Sequence, residues 1–344
     1  MYVLYYLINI SFKNNIVFFP TAMAAGITSE TWPSTASLMK CENNLNGINL
    51  HFFGFDFDGT CTMEDTTRLY YKASEQYRTA SREDMKQCDE SWKDLTQQYW
   101  TGYKKTVASA LAQQAVGDLS EYNEKGLRSL LKSVNEFERK ITKSVEASGL
   151  LKGITRKAIQ EKAPLVKMSP ACVNVLLQMK MPMHLISVNW SEDLIQAKLG
   201  HVKHLHILAN NFQFKDDLST GEIGKSMMNA FDKERAFMEL CKCNEPRSGY
   251  SIYIGDSITD LLALIRADIG IVMGKSETMK KVSKAFGIKL RPLSEVQQLL
   301  DINHCQQNSE LKDFKQKHVL YEAISWNEVG FSLLGSRYIP NKYE

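Results

Sequence analysis

The chain has 344 residues, beyond the size at which one hydrophobic core keeps growing, so one large domain with an insertion, or two domains, is expected. Its 42 Lys and Arg against 39 Asp and Glu leave a net charge of +3, intermixed in sign and without a basic stripe, which removes the charge signature of a nucleic-acid binder. Seven scattered cysteines, an odd number with no Cys-x-x-Cys pair, fit reduced thiols in the cytosol or an organelle matrix and argue against a disulfide framework.

Residues 1 to about 45 read as an extension outside the fold. Met1 to Pro20 begins apolar but is interrupted by Ser11, Lys13, Asn14 and Asn15, and falls short of a membrane span. It lacks the basic leading region of a secretory signal and the arginines of a mitochondrial transit peptide, so cytoplasm and mitochondrion both stay open. Met23-Ala24-Ala25-Gly26 offers an alternative translation start.

The first strong signal is Phe53-Gly54-Phe55-Asp56-Phe57-Asp58-Gly59-Thr60, apolar residues running into two aspartates and a glycine, as a buried strand does where it opens into a tight turn. Strand alternation puts Asp56 and Asp58 on one face and Phe57 on the other. Two like charges so close require a positive neighbour. Mg2+ supplies one, because it binds one or two carboxylates, several waters and a substrate phosphate. A plain aspartate-rich surface turn is the competing reading.

From about Glu64 to Ala163 glycine and proline are sparse and apolar residues recur at helical intervals, as in Leu127, Leu130, Leu131, Val134 and Phe137, which predicts a helical insertion of about a hundred residues. The core resumes near Pro164. His184 to Trp190 reads as a second strand with a polar tip, and Ser191 with Glu192 and Asp193 as the cap of the next helix. Asn210 to Ile223 reads as a short hairpin. Gly221 to Ser226 imitates a nucleotide-binding loop but fails on spacing, because position 219 is serine where glycine is needed.

Asp232-Lys233-Glu234 opens a helical stretch, and Ser251 to Gly255 reads as a strand delivering Asp256, with Asp260 four residues later at the start of a helix. Ligands gather at such carboxyl ends in open parallel sheets. Further strands are expected at Ala267 to Gly274 and Gly287 to Leu290, then a polar connector over about 301–317, and a last strand and short helix from Val319 to Leu334.

Asp56-x-Asp58-x-Thr60, Ser187, Lys233 and Gly255-Asp256 with Asp260 stand in the order found in haloacid dehalogenase-like phosphatases, which the chain resembles. The resemblance implies an α/β fold, a Rossmann-like parallel sheet formed by residues 46–63 and 164–344, with a helical C1 cap inserted after the first strand as residues 64–163. It implies Asp56 as nucleophile, Asp58 as general acid and base held by Thr60, and Lys233 as the cation joining nucleophile and phosphate. Ser187, Asn189 and Thr60 would bind phosphate, and Mg2+ would rest on Asp56, Asp58 and Asp256, with Asp260 in the outer shell.

Phe55 to Thr62 with Asp65, Ser187 to Trp190, Ala267 to Val272 and the terminal Leu320-Tyr321 to Ser325-Trp326 narrow the likeness to the thiamine monophosphate phosphatases of plants. That implies hydrolysis of thiamine monophosphate, with Asp65 and Trp190 as candidate contacts to the cationic substrate. Those phosphatases follow a TenA-type aminohydrolase half for which this chain has no room, so a separate aminohydrolase is the expected partner. Phosphocholine, a phosphorylated amino acid or a pyrimidine nucleotide stays open as substrate, as does a non-catalytic role beside the aminohydrolase. Two decoys are set aside: His201, His204 and His206 lack a flanking carboxylate or cysteine for a metal site, and Cys61 has no neighbouring histidine to activate it. Aromatics Trp92, Tyr99, Trp100 and Tyr103 recur at helical spacing, which favours packing over substrate contact.

Overall fold

The computed structural model describes residues 48–75, 82–114, 121–243, 249–296 and 318–341. The amino-terminal extension, the alternative start at Met23 and the polar connector lie outside the described residues.

Strand β1 (Leu50–Phe55) is followed by α1 (Thr67–Glu75), α2 (Arg82–Gln114) and α3 (Glu124–Ser148), then β2 (Lys152–Thr155), α4 (Arg156–Gln160) and α5 (Cys172–Gln178). The chain continues through β3 (Met183–Ile186), α6 (Glu192–Leu199), β4 (Leu205–Leu208), β5 (Phe212–Lys215), β6 (Leu218–Ile223) and α7 (Ala230–Cys243). It closes with β7 (Tyr250–Gly255), α8 (Leu261–Arg266), β8 (Ile269–Met273), α9 (Glu277–Ala285), β9 (Lys289–Pro292), β10 (Val319–Ala323) and α10 (Trp326–Leu334).

Seven strands form one sheet in the order β4-β3-β1-β7-β8-β10-β9, and every neighbouring pair is parallel. A parallel sheet is buried on both faces, which is why its strands are continuous apolar runs. Phe52, Phe53 and Phe55 of β1, Ile252 and Ile254 of β7, and Ile269 and Ile271 of β8 are fully buried. The chain winds outward from β1 to β3 and β4, then crosses back to begin again at β7. That reversal opens a crevice beyond the carboxyl ends of β1, β3 and β7, where ligands bind in such sheets.

Helices α2 and α3 pack along one another. The predicted apolar face is present: Leu127, Leu130, Leu131 and Val134 of α3 are buried. Asn123 Oδ1 accepts the Gly126 amide at 2.8 Å, and Gly149 in the left-handed region ends the helix. Tyr99 stacks on Tyr103 at 5.7 Å and tilts against Phe137 at 5.9 Å, and Trp92 stacks on Tyr71 at 4.9 Å. These aromatics pack against one another, as their spacing favoured.

Residues 64–163 are not helical throughout, because β2 pairs with β6, which pairs in turn with β5, in a three-stranded antiparallel sheet. Lys152-Gly153-Ile154-Thr155 is too short to break a helical pattern visibly, and its partner strand comes much later in the chain. The hairpin expected in this region is β5–β6, joined through Asp216 and Asp217, both at positive φ, the turn that matches strand twist. Strand β9 starts at Lys289, two residues beyond the expected Gly287.

The chain leaves the sheet after β1 and returns to it through a paired stem. Thr62 bridges Met168, the Met63 amide donates to Lys167 O at 2.9 Å, the Ser169 amide donates to Cys61 O at 2.7 Å, and Lys167 pairs with Glu64 at 2.7 Å.

Candidate active site

Three adjacent strands are each followed at once by a polar residue: β1 by Asp56, β3 by Ser187 and β7 by Asp256. Asp56 is still tied to the sheet, its amide donating to Ile254 O at 2.9 Å. Because β1 ends at Phe55, strand alternation does not continue through Asp58, and the two aspartates meet different partners. Asp56 Oδ1 accepts the Phe57 amide at 2.7 Å and Oδ2 faces the Lys233 ammonium at 2.7 Å.

Lys233 is wholly enclosed, with 0% of its side chain exposed, and its ammonium also lies 2.7 Å from Asp260 Oδ1. An enclosed cation is tolerated only where anions face it. Burial alone would lower its proton affinity, but the Asp260 and Asp56 carboxylates outweigh that and raise it above the ordinary lysine value. Asp260 is braced by Tyr253, whose hydroxyl donates to Oδ1 at 3.0 Å, and by Ser257, whose amide and hydroxyl donate to Oδ2 at 3.1 and 3.0 Å. Asp260 is therefore a direct partner of Lys233.

Asp56, Asp256 and Asp260 each offer a carboxylate oxygen, all within 4.8 Å of one another. Three carboxylates against one ammonium leave the cluster negative. Burial pushes the Asp256 carboxyl well above the usual carboxylate range, with Asp260 and Asp56 adding repulsion, and burial raises Asp260 as well despite Lys233. A hard cation held by oxygen ligands fits this surplus of negative charge.

Two glycines let the cluster close. A Cβ on Gly255 would fall 2.3 Å from Asp260 Cγ, so the residue serves close approach, and its φ is not in the left-handed region that a sharp turn would need. Gly59 combines a φ of +75 with a would-be Cβ only 2.4 Å from Asp256 Oδ2.

Thr60 donates its hydroxyl to Asp256 Oδ1 at 3.0 Å, which corrects the expectation that it holds Asp58. Its backbone carbonyl accepts Trp326 Nε1 at 2.8 Å and Ser169 Oγ at 3.2 Å, so α10 and the chain's return from the insertion anchor the turn. Asp58 is held instead by the Thr66 amide at 2.9 Å on Oδ1 and by Asn189 Nδ2 at 2.5 Å on Oδ2. Burial and the neighbouring Asp65 charge push its carboxyl up to about 7, against the opposing Asn189 hydrogen bond.

Ser187 is buried, and its hydroxyl oxygen accepts the Asn189 amide at 3.2 Å. Ser191 caps α6 through the Leu194 amide, as expected. Asp65 Oδ1 accepts the Thr67 amide at 2.5 Å at the start of α1, and Trp190 is buried against Tyr70. Direct contacts thus join Asp56, Lys233 and Asp260, and Thr60 with Asp256, whose carboxylate lies within 4.8 Å of those of Asp56 and Asp260, while Asp58 and Ser187 are linked through Asn189. The histidines stay apart from the cluster: His206 stacks on His184 at 5.3 Å.

Sequence reasoning missed Tyr70, Tyr253 and Asn210. Buried Asn210 donates through Nδ2 to Met227 O at 2.6 Å and to Asn189 O at 3.2 Å, tying the approach to α7 to the tip of β3. A polar residue inside an otherwise apolar strand, as with Tyr253, is a weak sign of such a role.

No family model matches the chain. It is 28% identical over 305 residues to the bifunctional TH2 protein, mitochondrial, of Arabidopsis thaliana, covering 81% of this chain and 48% of that protein. The chain therefore spans about half the length of that relative. A CTO1 family protein of Schizosaccharomyces pombe is 26% identical over 291 residues, 79% of this chain and 95% of that one. Among solved structures, a HAD family hydrolase of Salmonella enterica serovar Typhi superposes with a TM-score of 0.50 at 15% identity, over 84% of this chain and 73% of that one. The fold is thus α/β, a parallel-sheet core of the haloacid dehalogenase type carrying a helical cap. Among the described residues, no helix is long and apolar enough to cross a membrane.

Proposed function

We propose that the chain is a Mg2+-dependent phosphomonoesterase that works through a phosphoaspartate on Asp56 and takes thiamine monophosphate as its substrate. The observation that carries the reading is the enclosed contact of Asp56 with Lys233 inside a three-carboxylate cluster at the ends of β1 and β7.

In this reading Asp56, Asp256 and Asp260 would hold Mg2+, which when bound would supply positive charge to offset the carboxylates and the phosphoryl group. Lys233 holds Asp56 Oδ2 in place and adds its own charge to the phosphoryl oxygens. Asp56 attacks phosphorus in line, the ester oxygen leaves with a proton from Asp58, and Asp58 then takes a proton from the water that cleaves the acyl phosphate. Ser187, whose hydroxyl accepts the Asn189 amide, directs its own proton to a phosphate oxygen.

Thiamine monophosphate is the substrate the overall resemblance implies, and its cationic ring suits acidic surroundings. Asp65 acts on Asp58 electrostatically, and half-buried Glu138 of α3 feels the Lys233 charge, its own carboxyl pushed by burial up to about 7. A substrate cation near either acid would offset some of that cost. A separate aminohydrolase remains the proposed partner.

Phosphate release across a panel of thiamine monophosphate, phosphocholine, phosphoserine and a pyrimidine monophosphate tests the reading. Thiamine monophosphate is expected to give the highest kcat/KM, and Asp56→Asn to abolish turnover with the fold retained by circular dichroism. Full activity in that variant, or a strong preference for another ester, overturns the nucleophile or the substrate respectively.

A further inference from the structure

The side chain of Asn189 has its groups engaged, and the way they are engaged fixes its orientation. The Ser191 backbone amide, which can only donate, sits 2.9 Å from the side-chain oxygen, so that atom is Oδ1 and the amide nitrogen must face the other way. Nδ2 then points at Asp58 Oδ2 at 2.5 Å and at Thr66 Oγ1 at 2.8 Å. Behind it the Tyr70 hydroxyl donates to Oδ1. Tyr70 is itself locked, buried and packed on Trp190 at 6.2 Å and edge-on to Phe212 at 5.3 Å.

We infer that Asn189, backed by Tyr70, is a positioning residue that aims the Asp58 carboxyl at the departing ester oxygen, and is not a phosphate ligand as its place beside Ser187 suggested. The inference rests on the phosphatase reading above. A phosphate oxygen would need a donor, and both protons of this amide already have acceptors. Asp58, in contrast, is held on one oxygen from α1's approach through Thr66 and on the other from the β3 tip through Asn189. Two clamps from two elements fix the plane of the carboxyl, which a proton transfer requires.

The test compares two esters through kcat/KM, which counts steps only up to departure of the alcohol. The leaving group from thiamine monophosphate is an alkoxide, which needs a proton; the one from p-nitrophenyl phosphate is a stable phenolate, which does not. Asn189→Ala is expected to lose about 100-fold on the alkyl ester, the size of a general-acid contribution, and less than about 10-fold on the aryl ester. Equal losses on both esters overturn the inference, since a lost phosphate contact or a damaged fold acts on both alike. Tyr70→Phe, which keeps the ring packing, provides a second arm: a loss confined to the alkyl ester supports the inference even if Asn189→Ala does not fold, and an equal loss counts against it. Wild-type protein that turns over another alkyl phosphate in place of thiamine monophosphate refutes the substrate, and the alkyl-to-aryl comparison on that ester then supports or overturns the inference by the same two outcomes. Wild-type protein inactive on every ester overturns the parent reading and this assignment with it.

Discussion

Arg128 of α3 reaches across to Glu234 of α7, with Nη2 2.6 Å from Oε1, so the insertion is ion-paired to the residue that follows Lys233. Glu124 and Arg266 complete the set, with Arg128 Nε 2.9 Å from Glu124, and Arg266 2.9 Å from Glu124 and 2.7 Å from Glu234. A network with its central acid nearly buried exceeds a lone surface pair, yet its outer members are screened by solvent.

Arg128→Ala is expected to lower the thermal midpoint by about 2–4 °C, the equivalent of about 1 kcal/mol in a chain of this size. The gap between wild type and variant should shrink as NaCl rises from 50 to 500 mM, because salt screens the pairs. A gap that stays constant would assign the loss to packing of the guanidinium over Phe231, which lies 5.8 Å away.

Gly59→Ala meets two penalties, a left-handed backbone costing about 1–2 kcal/mol and a collision with Asp256. Gly149→Ala serves as the control, since its φ is +67 and nothing lies within 4 Å of the added carbon. Both variants should melt earlier, and only Gly59→Ala should also lose phosphatase activity, by about 10-fold or more. Equal activity in the two variants would show that Asp256 yields without consequence.

Metal removal should abolish phosphate release, and Mg2+ added back should restore it. The cluster is strained by its own charge, so saturating Mg2+ at about 100 times its Kd should stabilise the fold by about 2.7 kcal/mol, read as a rise of several degrees in thermal midpoint. In Asp256→Asn the rise should largely vanish. A variant that kept it would place the cation elsewhere.

His184 gives the fold an acid-sensitive part. It is buried between Phe52 and His206, neither ring nitrogen has a hydrogen-bond partner, and burial, then the His206 charge, lowers its proton affinity to about 4. The unfolded chain takes up a proton near pH 6.5, earlier than the folded one. Its contribution is therefore present in full above about pH 6.5 and is lost as pH falls through about 4, at most on the order of 3 kcal/mol. His184→Leu should flatten the dependence of urea midpoint on pH across that window; an unchanged slope would assign the acid sensitivity to other groups.

Asp56, Asp256 and the sheet were legible in the sequence because each lies within a short contiguous pattern, an apolar run ending in aspartate. Lys233 is read from the family resemblance, as the lysine upstream of the last acidic motif, and charge balance gives its task, since the acids need a cation. What stayed hidden depends on contacts between distant positions. Thr60 chooses Asp256 over its neighbour Asp58 only after β1 and β7 pair side by side. Asn189 reads as a phosphate donor beside Ser187, and no local pattern shows that its Nδ2 faces Asp58 Oδ2 and Thr66 Oγ1. Strand β2 has four residues and no alternation of its own; β6 makes it a strand.

The stem at Thr62 and Met168 means that the two ends of the intervening polypeptide meet at a few backbone bonds. Closing a long excursion costs little more than closing a short one, since the entropic charge grows only with the logarithm of length. Changing the length of what hangs beyond Met63 and Lys167 would then add little to the cost of bringing its ends together, so tolerance of such changes is set by the contacts the insertion makes back to the rest of the chain, β2 with β6 and Arg128 with Glu234.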